Sequence, residues 1–217
     1  MNGDSPDFDG IARAYRWMEY ATLGPLLERT RECHLAQLQG CSRALILGDG
    51  DGRFTARLLA NAPKVRVQAV DLSRVMLRLL EARCVEFGER LQTHRADGRW
   101  FEPGEPPDLV VTHFFLDCLT QAEVDALVAR QGSLLRPNAL WVVSEFRIPD
   151  GVLHWPAWVY VRSLYFAFRV LTGLRTARLP DHAAAFERCG FGLVAVQRRM
   201  FGMLTAEVWR AGLGAGK

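Results

Sequence analysis

The chain has 217 residues, 27 of them basic and 24 acidic, for a net charge of +3, enough to bury one substantial core but not to build two independent domains. So small an excess, carried by arginine with Lys64 and Lys217 the only lysines, gives little reason to expect a nucleic-acid partner. The five cysteines (Cys33, Cys41, Cys84, Cys118, Cys189) are odd in number and never closer than eight residues, which suggests neither a C-x-x-C metal site nor a paired disulfide framework and leads us to expect a reduced, cytoplasmic setting.

Residues 1–10 are polar and acidic, without the basic and apolar regions of a secretory signal. From residue 8 to 39 apolar side chains (Ile11, Tyr15, Met18, Leu26, Leu27, Leu35, Leu38) recur at three- and four-residue steps, predicting two helices divided at Gly24-Pro25. A first strand is expected over 44–47, a helix over 53–61, a second strand over 65–70 ending at Asp71, and a helix capped by Ser73 that runs to about Phe87 and closes at Gly88. A third strand, 91–94, leads to Asp97-Gly98, and a fourth, 109–112, follows the turn Pro106-Pro107-Asp108. Thr120 and Glu123 form a capping box for a helix to Leu135, and Pro137-Asn138 turns the chain into a fifth strand, 140–144.

The alternation then pauses. Residues 154–174 form an aromatic-rich helical insertion, 181–189 a short helix ended by Gly190, and 193–198 with 205–209 a pair of strands joined at Phe201-Gly202. The apolar stretch 152–171 is interrupted by Arg162 and Arg169 and is too broken to span a membrane, so no transmembrane segment is expected and any membrane contact would be peripheral. Strands alternating with helices imply an α/β fold: a Rossmann-like, seven-stranded, mostly parallel sheet with an antiparallel terminal hairpin strand, helices on both faces and an N-terminal helical cap. The expected organisation is a single domain, 1–217, with the cap at 1–40, a cofactor-binding core at 41–150, the insertion at 151–180 and the C-terminal helix and hairpin at 181–217.

The chemistry is concentrated behind the strands. Gly48-Asp49-Gly50-Asp51-Gly52 joins the first strand to its helix, the position where α/β proteins bind nucleotides through close backbone approach and a helix N-terminus. Two carboxylates beside a pyrophosphate would repel it, and Arg53 stands where G-x-G-x-x-G has its third glycine, so a nucleoside bearing a positive group fits better than NAD or FAD. Asp71 lies about twenty residues beyond the loop, the separation at which a carboxylate accepts ribose hydroxyls. Asp97 follows the third strand, and His113, Phe114, Phe115 and Asp117 follow the fourth.

The series Leu45-Ile-Leu-Gly-Asp-Gly-Asp-Gly52, Val70-Asp71-Leu72-Ser73, Ala96-Asp97-Gly98, Asp108-Leu-Val-Val-Thr-His-Phe-Phe-Leu-Asp117 and Leu134-Leu-Arg-Pro-Asn138 resembles the ordered motifs of class I S-adenosylmethionine-dependent methyltransferases. The resemblance implies S-adenosylmethionine as cofactor, with Gly48, Gly50 and Gly52 along its methionine and ribose, Asp71 on the ribose, Leu72 on adenine, and Asp97 with Gly98 at the exocyclic amine. Ile46 stands where the family often has an acidic residue, so Asp49 or Asp51 would supply the carboxylate for the methionine ammonium. If that substitution removes catalysis, the chain is instead a noncatalytic cofactor- or nucleotide-binding protein. The opening Phe8-Asp-Gly-Ile-Ala-Arg-Ala-Tyr15, with Thr22-Leu-Gly24, is similar to the start of the ubiquinone and menaquinone biosynthesis methyltransferases, and places Tyr15 over the cofactor.

Methyl transfer requires alignment and exclusion of water, and no metal. If the acceptor must lose a proton, His113, which also borders the cofactor, and Asp117 are the candidate general bases. Phe114, with Trp155 and Tyr165 of the insertion, is expected to bind a small acceptor of apolar, aromatic or lipid-like character.

Overall fold

The computed structural model describes residues 24–149, 151–152, 154–172 and 179–212, with side chains up to Ser163 in the third stretch. Helix α1 (Gly24–Glu32) precedes β1 (Arg43–Leu47), α2 (Arg53–Asn61), β2 (Arg66–Asp71), α3 (Arg74–Arg83), β3 (Leu91–Arg95), β4 (Leu109–His113), α4 (Gln121–Ser133) and β5 (Leu140–Phe146). There follow α5 (His154–Thr172), α6 (His182–Arg188), β6 (Phe191–Arg199) and β7 (Leu204–Ala211).

The strands form one sheet in the order β3-β2-β1-β4-β5-β7-β6. β3, β2, β1, β4 and β5 pair in parallel, whereas β7 pairs antiparallel with both β5 and β6. The expected terminal hairpin is present, with one refinement: the antiparallel strand lies inside the sheet, and the outermost strand, β6, runs with the central five.

β1 from Ala44 to Leu47 and β4 from Leu109 to Val111 are apolar and buried on both faces, which a parallel sheet covered by helices demands. On one face Ile46, Val67, Val111 and Val208 pack against Phe54, Leu58 and Leu59 of α2 and Leu80 of α3. On the other, Leu45, Val110, Trp141 and Trp209 meet Val124, Leu127 and Val128 of α4 and Phe186 of α6. Trp141 is buried, yet its indole N–H is satisfied by Thr112 Oγ1 at 3.0 Å. At the amino edge the Asp108 carboxylate accepts from Ser42 N, Arg43 N and Ser42 Oγ, fixing the start of β1 beside that of β4.

Caps follow the sequence closely. Ser73 Oγ accepts from Met76 N, and Thr120 and Glu123 form the full reciprocal box. The helix expected to reach Phe87 stops at Arg83 and gives way to a 3-10 turn, Val85–Arg90. Cys84 and Phe87, three residues apart, both pack on the core, a spacing that a 3-10 turn places on one side. Of the two N-terminal helices expected, the one from Gly24 is described, followed by a short 3-10 turn, Leu35–Leu38.

Candidate active site

β1 to β5 all end on one edge, and β1 is flanked by β2 and β4, so the chain's crossovers diverge at the β1/β4 crevice, the place where open α/β sheets bind ligands. Behind β1, Gly48, Gly50 and Gly52 take φ of 71°, 61° and 78°. The space around them differs. A Cβ at Gly48 would come within 2.6 Å of the Phe115 ring and one at Gly52 within 2.5 Å of Leu80, whereas one at Gly50 would meet only Met76 Sδ, at 4.0 Å. Gly48 and Gly52 therefore admit neighbouring protein atoms, and Gly50 leaves open space in the crevice.

The two loop carboxylates are used differently. Asp51 accepts from Arg83 Nη2 at 2.9 Å and Arg53 Nε at 3.2 Å, an ion pair at the end of α3. Asp49 Oδ2 accepts from Thr55 N at 2.9 Å and Thr55 Oγ1 at 2.6 Å, which caps the first turn of α2. Burial pushes the Asp49 carboxyl up to about 6, against the Thr55 bonds and the nearby charge of Arg31.

Asp71 ends β2, its Oδ1 accepting the Ser73 N–H at 2.8 Å, and Leu72 follows with its carbonyl bound by Arg95 Nε at 3.3 Å. Asp97 is engaged within the chain: Arg99 Nε and Nη2 approach its carboxylate at 2.9 and 2.6 Å, and Arg99 continues to Glu123. Burial opposes ionisation of Asp97, but the Arg99 bonds and charge outweigh it and hold the carboxyl below its ordinary range. Gly98 lies beside both Leu47 and Phe115.

His113 closes β4 with its ring turned toward α2, edge-on to Phe54 at 4.4 Å between centroids. It is buried, and neither ring nitrogen has a hydrogen-bond partner among the described residues. Burial first, then Arg31 and His34, hold its pKa well below the ordinary value, so it is a neutral imidazole and a weak proton acceptor. Asp117 is buried in the 3-10 turn Leu116–Cys118, and beside it lies Glu145, buried on β5. Glu145 Oε1 accepts from Leu116 N at 2.8 Å and Phe115 N at 3.2 Å. Burial and the adjacent Asp117 raise the Glu145 carboxyl well above its usual range.

Phe114 packs at a tilt of 52° against Phe146, centroids 5.1 Å apart, with the Arg31 guanidinium over its ring at 5.2 Å. Phe114, Phe146, Tyr160 of α5 and Met200 gather around Leu27 and Leu204, an apolar wall beyond the ends of β4 and β5. Trp155 does not join it. Its side chain is 70% exposed and touches Trp158 and His154 on the outer side of α5. Tyr15, the side chain of Tyr165 and residues 8–23, which carry the similarity to the quinone-biosynthesis enzymes, lie outside the described residues. Among the described residues there is no cluster of three or more His, Cys, Asp or Glu able to hold a metal, and no helix long and apolar enough to cross a membrane.

Three contributors escaped the sequence reading: Glu145, Arg99 and Arg31. Glu145 carried a signal, being a carboxylate in the otherwise apolar and hydroxylic strand Leu140–Phe146. Arg99, two residues beyond Asp97, is placed for a local ion pair. Arg31 is brought in only by the packing of α1, and no spacing announces it.

Residues 44–138 match the family model of a methyltransferase domain. No curated protein matches the sequence. Among solved structures the chain is similar to an O-methyltransferase family protein from Burkholderia thailandensis, with 20% identity and a TM-score of 0.70 over 94% of this chain but 60% of that one. It is also similar to the magnesium protoporphyrin IX methyltransferase of Synechocystis with bound S-adenosylhomocysteine, with 15% identity and a TM-score of 0.71 over 94% of this chain and 96% of the other. The N-methyltransferase NodS of Bradyrhizobium japonicum in complex with S-adenosylhomocysteine gives 17% identity and a TM-score of 0.63 over 86% and 88% of the two chains. The glycine loop at the β1/β4 switch point lies inside the matched methyltransferase domain, and with its 3-2-1-4-5-7-6 sheet the chain has the fold that these methyltransferase structures share.

Proposed function

We propose that the protein transfers the methyl group of S-adenosylmethionine to a small acceptor of apolar, aromatic or lipid-like character. The observation that carries this is the adjacency, on one sheet edge, of an open glycine crevice and an apolar aromatic wall. In this reading Gly48 to Gly52 admit the methionine and ribose, Asp71 accepts from the ribose hydroxyls and Leu72 packs on the adenine. Asp49 faces the ammonium group, because Asp51 is already held by two arginines. The Asp97 carboxylate meets Arg99, so the exocyclic amine is left to the neighbourhood of Gly98 or to an Arg99 that swings away.

The cofactor supplies an electrophilic methyl on a sulfonium. The chain's own part is to align and to exclude water: Phe114, Phe146 and Tyr160 present an acceptor with a dry surface, and Glu145 fixes the backbone that carries Phe114. Proton removal, where an acceptor needs it, falls to the Asp117–Glu145 pair before His113, whose neutral imidazole is a poor base.

Titration of S-adenosylhomocysteine by calorimetry, followed by methyl transfer from labelled S-adenosylmethionine to a panel of lipophilic phenols, amines and carboxylic acids, tests this reading. Turnover on one class is expected. Tight binding without transfer to any of them would favour the second reading, a noncatalytic binding protein, which the buried Ile46 at the usual acidic position and the intramolecular Asp97–Arg99 pair both recommend.

A further inference from the structure

Helix α5 has two apolar sides. Ala157 and Val161 are buried against the fold, and Tyr160 joins the wall beyond β4 and β5. Trp155 and Val159, four residues apart and thus on one side of the helix, are 70% and 57% exposed, and Val152 just before it is 96% exposed. Arg162 continues this outer face, its guanidinium 4.9 Å from the Trp158 ring centroid. A second exposed aromatic stands nearby. The turn between β6 and β7 emerges at the edge where β5 ends, since Phe146 and Arg199 both pair with Leu204. Its Met200 packs in the same cluster as Tyr160, while Phe201, held at φ 55°, is 82% exposed.

Among the described residues, Arg162 lies on this face and Arg198 and Arg199 lead into the turn. From 154 to 163 and from 191 to 206 the sequence holds no Asp or Glu. Exposed indole and phenyl groups among arginines match the interface of an anionic bilayer, where rings sit at the headgroup level and guanidinium groups meet lipid phosphates. A second copy of the chain is a poorer occupant, because a two-fold contact through this face would set its arginines against their own equivalents.

We propose that the outer face of α5 and the β6–β7 turn dock the protein on an anionic membrane surface, from which a lipophilic acceptor reaches the Phe114–Tyr160 wall directly. The acceptor clause rests on the proposed function; the docking clause does not. Flotation of the full chain with vesicles of phosphatidylcholine alone, or mixed with phosphatidylglycerol, tests it. The protein should rise with the anionic vesicles, and Trp155→Glu, Val159→Glu and Phe201→Glu should each lower the bound fraction about tenfold. Arg162→Gln should lower it a few-fold and flatten its salt dependence. S-adenosylhomocysteine affinity and thermal unfolding of the Val159 and Phe201 variants should stay at parental values, which separates lost docking from lost folding. A parent chain that ignores both vesicles while binding S-adenosylhomocysteine would overturn docking and leave methyl transfer standing. Variants that float like the parent, or a parental dimer that Trp155→Glu dissociates without any vesicle binding, would overturn it as well.

Discussion

Behind β1 the backbone turns left-handed at Gly48, Gly50 and Gly52, where no Cβ resists it; behind β4 it does so at Phe114, at φ 53°, where a Cβ does. The first turn is available to its residues without outside support. The second carries a local cost of about 1–2 kcal/mol and is held by contacts from elsewhere, the Glu145 carboxylate on the next two N–H groups and Phe146 against the ring. The side proposed for the cofactor is thus built from short-range backbone chemistry, and the side proposed for the acceptor from a buried carboxylate supplied by a neighbouring strand. It follows that the turn behind β4 can vary with its supports while the glycine turn behind β1 keeps its shape.

The comparison can be broken first at Gly50. Gly50→Val puts a β-branched side chain at positive φ and fills the open crevice, so S-adenosylhomocysteine affinity should fall more than a hundredfold, about 3 kcal/mol, with the sheet intact by circular dichroism. A variant that binds like its parent would reduce the loop to a structural turn.

Glu145 is the corresponding break on the other side. Glu145→Ala leaves two N–H groups without their acceptor and should cost about 2–3 kcal/mol in denaturant unfolding, whereas Glu145→Gln retains an amide oxygen and should cost under about 1 kcal/mol. The sign with pH follows from the raised carboxyl: the proton held in the folded state stabilises fully below the unfolded carboxylate range, and that contribution is lost as pH rises through the raised value. As pH rises above the unfolded carboxylate range the parent should therefore lose stability faster than Glu145→Gln, and equal pH profiles would contradict the raised Glu145 carboxyl.

Asp71→Ala should weaken cofactor binding by about 1.5 to 3 kcal/mol, the range for a lost charge-assisted hydrogen bond; calorimetry giving unchanged affinity in a folded variant would remove the ribose assignment. The smallest effect is expected at Asp49. Its carboxyl titrates at about 6, and an ammonium ligand favours the ionised form, so affinity should fall by up to about tenfold per pH unit below that value and level off above it. Asp49→Asn should flatten the profile, and a slope that survives the substitution would locate the titrating group elsewhere.

What the sequence made legible divides along the same line. The helix Arg53–Asn61, the Ser73 cap, the Thr120–Glu123 box and the strand ends were all readable, because each is set by residues within a few positions of one another. Asp97 was placed correctly at its strand end but not its engagement with Arg99, since spacing fixes where a carboxylate stands and not which donor reaches it first. Trp155 was read as facing inward from its aromatic setting, yet helical phase turns it outward, opposite Ala157 and Val161. His113 and Glu145 exchange importance for a similar reason. Alternation along β4 puts the imidazole on the α2 face, while Glu145 acquires its role through a strand about thirty residues away in sequence, a distance no local pattern spans.

The placement of β7 between β5 and β6 carries a consequence for how the chain acquires its shape. β7 follows β6 in synthesis order, yet among the described residues β6 has no other strand to pair with, and β5 presents a bare hydrogen-bonding edge until β7 arrives. A nascent chain released as far as β6 would therefore expose that edge, with Trp141 still lacking the Trp209 layer of its core, and unpaired apolar edges of this kind recruit other chains. Closing the sheet late makes its slowest steps long-range ones. A truncation removing β7 should yield aggregation on the ribosome's timescale and not a smaller soluble fold, and the order in which the strands are made becomes as consequential for yield as any single contact in the finished protein.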